Sequence, residues 1–205
     1  MDMAFYLTAF VTLFVIIDPI ALAPLFVALT HGMDSAQRRA VGLRACLIAI
    51  VLMTLFGLLG DKILSVIGIS MPAFRISGGL LLFITALDML FERRTQRREG
   101  QQADPHHDPS VFPLATPLIA GPGAFTTMIL LVNNSPASGL AHAAAVHAVM
   151  VAVVACAFLF FLASGLIERA LGRTGIVVIT RLLGMLLAAL SVQFVLDGIR
   201  GTGLI

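Results

Sequence analysis

Two apolar stretches of this chain, each long enough to cross a bilayer, carry the same pair of prolines at the same spacing. One reads Asp18-Pro19-Ile20-Ala21-Leu22-Ala23-Pro24 and the other Thr116-Pro117-Leu118-Ile119-Ala120-Gly121-Pro122, a P-x-x-x-x-P repeated 98 positions further on. Proline inside a helix removes a backbone hydrogen bond and clashes with the preceding turn, at a cost of roughly 3 kcal/mol. In hydrocarbon, where no water replaces the lost bond, the cost rises further. Matched interruptions in two halves of a membrane chain point to a site between them, as in secondary transporters.

The rest of the sequence agrees that the solvent is lipid. Of the 205 residues 59% are hydrophobic and 12% charged, with a mean hydropathy of +1.02, against about 45–50% apolar in soluble domains. The basic balance, a net charge of +2, does not signal nucleic acid, because the arginines sit in short loops between apolar spans. Cys46 and Cys156 fall inside spans and read as small apolar residues, so neither a disulfide nor a metal site follows. No charged leader precedes the first apolar run, which is expected to stay as a transmembrane helix.

At about 20 apolar residues per crossing, six spans are expected: 5–29, 41–59, 73–91, 111–132, 140–163 and 182–199. Segments 61–71 and 168–180 are too amphipathic or too short to cross and are expected to be interfacial or re-entrant pieces. Of the 13 Lys and Arg, Arg38, Arg39, Arg44, Arg93, Arg94, Arg97, Arg98, Arg169, Arg173 and Arg181 fall on one side. Lys62, Arg75 and Arg200 fall on the other. The positive-inside rule puts the arginine-rich side in the cytoplasm and both termini outside, as in a multi-pass protein of a bacterial inner (plasma) membrane.

Segment 92–110 is the one long polar stretch and reads as a linker between a first repeat, 1–91, and a second, 111–205. His106 and His107 with Asp104 and Asp108 suit a solvated linker tip better than a metal site. Arg75-Ile76-Ser77-Gly78 also returns as Arg181-Leu182-Leu183-Gly184, so each half holds three spans. An odd number of crossings inverts the second copy. The expected fold is therefore all-α, six transmembrane helices as a 3+3 inverted repeat with proline-broken helices one and four.

Asp18 falls near the middle of the first span, where a carboxylate costs about 2.5–3.5 kcal/mol to insert and defaults to a functional role. A structural reading stands beside it: Asp18 and Thr116 each precede a proline, the pattern of an N-cap followed by Pro at the first helical position. Both readings can hold, since a half-helix N-terminus offers free N–H groups to an anion. Two such ends, freed carbonyls and one carboxylate would suit a zwitterion. The candidate substrate-binding set is Asp18, Pro19, Ala21, Ala23, Pro24, Thr116, Pro117, Gly121, Pro122, Gly123, Thr126 and Thr127, whose small walls favour a small neutral side chain.

Other polar residues in spans have plainer readings. Gly184, Ala188 and Ser191 at helical spacing suit helix packing or dimerisation. Asp88 and Asp197 lie near span ends, where solvation or pairing with arginine accounts for them. Arg75 and Arg181 suit snorkelling at span entrances, with a gating ion pair as the alternative. His142 and His147, five apart, are off the i, i+4 face of metal sites and read as packing or interfacial groups.

The motifs from Ile17-Asp18-Pro19 to Pro24-Leu25-Phe26 and from Pro117 to Gly123-Ala124-Phe125-Thr126-Thr127 resemble the MarC family of membrane proteins, over essentially the whole chain. The chain departs from the family where a small glycine usually follows Asp-Pro-Ile: here it is Ala21, which narrows the first break. The resemblance implies a six-span neutral amino-acid transporter, moving glycine, alanine or similar substrates with protons as coupling ion and no other cofactor. It also implies kinship with LysE-type exporters, which share the inverted plan and often form homodimers. Export of other small metabolites or drugs and a non-transporting membrane scaffold are the alternatives. An enzyme is not expected, because no G-x-S-x-G occurs and Asp18 has no partner carboxylate at its depth in the sequence. Partners are then a small-molecule substrate and the lipid bilayer, with no nucleic acid.

Overall fold

A computed structural model of the chain describes residues 3–91, 108–133 and 139–203. Eight helical segments follow in order: α1 Met3–Ile17, α2 Pro19–Leu29, α3 Ser35–Ile67, α4 Met71–Leu90, α5 Ser110–Ile119, α6 Pro122–Asn133, α7 Leu140–Leu162 and α8 Ser164–Gly201. Among the described residues there is no strand. Five stretches are long and apolar enough to span a bilayer: Met3–Leu29, Ser35–Ile67, Met71–Leu90, Leu140–Leu162 and Arg169–Gly201; α5 and α6, bent by 56°, make a sixth if counted together. The chain is thus an all-helical, multi-pass architecture. Segment 92–107, most of the expected linker, lies outside the described residues, as do His106, His107 and Asp104.

Helix ends follow from local chemistry. Asp34 caps α3 by accepting from Gln37 N, while the Gln37 side chain accepts from Asp34 N, a reciprocal capping box. Gly68, with φ of +80°, closes the same helix in the left-handed conformation that costs glycine nothing. Ser70 then caps α4 ahead of Pro72, whose missing N–H would have no partner there anyway.

Segments 61–71 and 168–180 are not detached from the neighbouring spans. The first belongs mostly to α3, and the second lies within α8. The reason is length: the 33 residues of α3 reach about 50 Å at 1.5 Å per residue, well beyond a hydrocarbon core of about 30 Å. Asp61 and Lys62, both exposed, are carried at the far end of that helix. In α8 the helical path is interrupted at Gly172, with φ of +60°, so a short leading segment meets the spanning part at an angle.

Three pairs of segments run antiparallel. Along α3 and α7, Gly42 lies by Phe161, the Cys46 thiol donates to the Val154 carbonyl at 3.9 Å, and Gly57 abuts His147. Along α4 and α8, Gly79 lies against the Ser191 backbone, Gly184 against Ala86 and Met89, and Gly198 against Pro72 and Ile76. Along α1 and α6, Tyr6 reaches Leu131 through His142, and Ile16 meets Gly123. The α4–α8 seam is the tightest. A Cβ on Gly79 would sit 2.8 Å from the Ser191 carbonyl oxygen, and one on Gly198 would sit 3.0 Å from the Pro72 carbonyl oxygen. In lipid there is no hydrophobic drive between helices, so close backbone approach through small residues supplies the attraction. Gly184 and Ser191 therefore serve packing within the chain.

At one end of the bundle Arg44 pairs with Asp108, holding the start of α5 to the start of α3. The Ser110 hydroxyl and amide both donate to Asp108, at 2.7 and 2.9 Å. The hydroxyl bond above all holds the Asp108 carboxyl below its ordinary range, with the Arg44 guanidinium adding to the effect. Because the folded state binds the proton less tightly than the unfolded chain, this knot stabilises at neutral pH and fades as pH falls through that lowered value. At the opposite end, Asp197 accepts from Gln193 at 2.8 Å and from Arg200 at 3.4 Å, which is the expected arginine pairing.

Gly79→Ala should lower thermal stability by about 1–3 kcal/mol, the cost of overpacking a close seam. Leu80→Ala, at a side chain 54% exposed, should leave it nearly unchanged. Thermal midpoints of the detergent-purified variants measure the contrast.

Candidate substrate site

The first interruption is built on one residue. α1 closes with Asp18 N donating to Phe14 O at 2.9 Å, and α2 opens with Leu22 N donating to Asp18 O at 3.1 Å. Between them Asp18 stands at φ +53°, ψ +64°, a left-handed conformation that Asp tolerates better than most side chains. Its Oδ1 accepts from Ala21 N at 3.3 Å, taking one of the amides that a helix start leaves without a backbone partner. Pro19 brings no N–H, so the Val15 carbonyl has no helical donor at that position. The Asp18 side chain is fully buried. Capping and burial of a carboxylate at a backbone break thus occur in the same residue.

The second interruption is built differently. Phe112 and Thr116, each before a proline, have extended backbones within α5, as steric clash with a following proline ring favours. The turns between are wide, with Leu114 N donating to Pro109 O at 3.2 Å and Ala120 N to Ala115 O at 2.8 Å. Thr116 does not cap a helix. Its hydroxyl donates back to Val111 O at 3.3 Å, and the regular helix resumes only at Pro122, where Phe125 N donates to Gly121 O at 3.0 Å. The expectation of an N-cap at Thr116 fails because Pro113 and Pro117 together keep the intervening chain off the α-helical path, so no helix starts at Pro117.

The small residues of the second motif are where backbones crowd. A Cβ on Gly121 would sit 2.5 Å from the Pro117 carbonyl oxygen. A Cβ on Gly123 would meet Leu82 of α4 at 2.9 Å and Ile16 of α1 at 3.5 Å. The second contact brings the two interruptions together, since Ile16 is two residues from Asp18. Thr126 is buried with its methyl against Gly78 of α4. Thr127 is fully buried, and among the described residues its hydroxyl has no hydrogen-bond partner. Such a group costs about 1–3 kcal/mol and is the kind of polar atom a ligand satisfies.

Of the remaining candidates, Pro19 and Ala23 are buried, Ala21, Pro24 and Thr116 are partly buried, and Pro117 and Pro122 are exposed. The geometry sets the end of α1 against the start of α6, through Ile16 and Gly123. It leaves Pro117 and Pro122 on the outer surface.

Sequence reasoning missed a polar clamp above the breaks. His142 is buried, its Nε2 lies 3.0 Å from the Leu131 carbonyl oxygen and its Nδ1 3.2 Å from the Tyr6 hydroxyl. A carbonyl only accepts, so Nε2 carries the proton, and in the neutral ring Tyr6 donates to Nδ1. One side chain thereby ties α1, α6 and α7. The signal was a histidine near the start of an otherwise apolar span, with the chain's one tyrosine in the first span. The other histidine, His147, has its Nδ1 2.7 Å from the Ala143 carbonyl oxygen and its ring against Gly57.

A cavity of about 700 Å³ opens elsewhere, between the end of α2, the start of α3, the end of α7 and the start of α8. None of the twelve candidate residues lines it. Phe26, on its wall, is eight residues beyond Asp18, or about 12 Å along α2.

A bundle of apolar helices long enough to cross a bilayer, with two interruptions in contact, defines an integral multi-pass membrane protein. The chain matches the MarC family of integral membrane proteins over residues 3–202 and belongs to it. It is 34% identical over 206 residues to the membrane protein YvbG of Bacillus subtilis, covering 98% of this chain and 97% of that one. It is 36% identical over 201 residues to a UPF0056 membrane protein of Archaeoglobus fulgidus, covering 96% and 93%. It is 34% identical over 194 residues to the inner membrane protein YhgN of Escherichia coli K12, covering 95% of each. No solved structure matches the chain.

Asp18→Asn should keep the cap and the left-handed backbone, since Asn serves both, and its thermal midpoint should stay close to wild type. Asp18→Ala loses both and should cost about 1–3 kcal/mol. Tyr6→Phe, which removes one bond to His142, should cost about 1 kcal/mol. Thermal unfolding of the three purified variants tests the set.

Proposed function

We propose that this protein is a secondary transporter, not an enzyme, moving small neutral amino acids of the glycine and alanine class with protons as coupling ion. The observation that carries the reading is Asp18: a fully buried carboxylate at a helix interruption, beside a second interruption through the Ile16–Gly123 contact. The substrate ammonium or the coupling proton is received by Asp18, and the start of α6, with the Thr127 hydroxyl that has no partner among the described residues one turn on, receives the carboxylate end. Ala21, Ala23, Gly121 and Gly123 are the small residues of a region where backbones crowd, which favours a substrate with a side chain of no more than a few atoms.

The antiparallel run of α1 against α6, α3 against α7 and α4 against α8 supports an inverted 3+3 repeat, since equivalent spans of such a repeat cross in opposite directions. Alternating access is then a rocking of one repeat on the other across these pairs. The printed name of YhgN as an inner membrane protein supports a bacterial inner-membrane location. The clustering of Arg38, Arg39, Arg44 and Arg169 at one end supports both termini on the outside.

Uptake and counterflow of labelled glycine, alanine, serine and leucine in proteoliposomes, at several pH gradients, test the proposal. Wild type should accumulate glycine or alanine when the gradient is imposed and exchange them without it. Asp18→Asn should abolish gradient-driven uptake. If its counterflow survives, Asp18 carries the proton; if counterflow is lost as well, Asp18 holds the substrate. Absence of both uptake and counterflow for every amino acid in the wild type, with no thermal stabilisation by any of them, overturns the transporter reading.

A further inference from the structure

The cavity away from the helix breaks has a chemistry of its own. Arg38, Arg39 and Arg169 line one part of it and Phe26, Phe161 and Leu166 another. Arg38 is held in place: its Nη2 donates to Ser164 Oγ at 3.4 Å and its guanidinium carbon lies 5.7 Å over the Phe26 ring. Phe26 is itself stacked on Phe161, with ring centroids 4.6 Å apart. Arg39 and Arg169 are exposed, and among the described side chains no carboxylate pairs with either. Three guanidinium groups thus converge on one hollow with no counter-charge recorded in its lining.

The backbone adds to the same sign of charge. Both α3 and α8 begin at the cavity, through Ser35 and Ser164. α3 has its Asp34 cap, whereas α8 has no side-chain cap, and Gly165 at its first turn has open space where a Cβ would stand. Free amides at a helix N-terminus are anion donors, and guanidinium forks match phosphate oxygens two at a time. The apolar part reaches the bundle surface, where Leu162 is 50% and Leu166 69% exposed, on helices whose outer faces meet lipid. A ligand that fits carries a phosphate anion at one end and hydrocarbon at the other.

We propose that this cavity is a binding site for the phosphate headgroup of an anionic phospholipid, entered from the bilayer past Leu162 and Leu166. Basic pockets between helices at a membrane surface take such headgroups. The phosphate is clamped between Arg39 and Arg169, with Arg38 as the fixed third arm and the α8 amides beneath it, while the glycerol and upper acyl carbons lie on Phe158, Leu162 and Leu166. Occupancy ties the start of α3 to the start of α8. This site is independent of the substrate reading, and a protein that moves no amino acid retains it.

The test titrates phosphatidylglycerol, phosphatidylcholine and inorganic phosphate separately into detergent-purified protein. Thermal midpoint and lipid retention in native mass spectra are followed for wild type, Arg39→Gln/Arg169→Gln and Arg200→Gln. Arg200 lies at the opposite end of the bundle and serves as the charge control. Phosphatidylglycerol should raise the wild-type midpoint where phosphatidylcholine does not, and should be retained as a discrete adduct. The double variant should lose affinity by about tenfold or more, from two surface guanidinium contacts, with its lipid-free midpoint unchanged, and Arg200→Gln should respond as wild type. Equal responses to the two lipids, or an undiminished response in the double variant, overturn the proposal. A full shift with inorganic phosphate alone overturns the lipid as its source and assigns the cavity to a soluble phosphate anion.

Discussion

In hydrocarbon every backbone amide and carbonyl must find its partner within the protein, and the arrangement around Asp18 depends on meeting that demand at a place where a helix stops. Pro19 withholds a donor, the chain turns through a left-handed residue, and Asp18 supplies an acceptor for the Ala21 amide from its own side chain. The repair leaves a carboxylate buried in the bundle. A residue that only capped a helix would do so as well with an uncharged serine or asparagine; the proposed transport role is what would call for a carboxylate.

The second interruption meets the same demand by other means. Wide turns in α5 and a backbone squeezed at Gly121 against the Pro117 carbonyl carry the chain to Pro122. The two motifs share a spacing of prolines without sharing a mechanism. What unites them is position, since the Ile16–Gly123 contact sets the end of α1 against the start of α6. Close glycine contacts between α4 and α8 lock the surrounding frame, and the Tyr6–His142–Leu131 clamp holds its far end.

Much of this was readable in order of residues. The hydropathy pattern supplied the spans, because a crossing segment must be apolar over a fixed length. Asp18 was readable as both cap and candidate site, since an Asp before Pro in an apolar run has few other uses. The limits of α3 and α8 were not readable: charged residues such as Asp61 end an apolar window without ending a helix, and propensity alone does not say that the helix runs on past the hydrocarbon. Thr116 was misread because one proline marks a helix start, whereas Pro113 and Pro117 together prevent one. The arginines around the cavity were counted as markers of topology, and nothing local in the sequence says that Arg39 and Arg169, 130 residues apart, line the same hollow.

By itself the sequence determined the solvent and five or six apolar crossings, because these follow from hydropathy over a fixed length. Tertiary structure decided that the end of α1 meets the start of α6, which glycines are seams, that Thr127 is buried with no hydrogen-bond partner among the described residues, and where positive charge gathers. Those outcomes depend on contacts between residues far apart in the chain, set by how long helices cross and how closely their backbones approach, which no local rule contains.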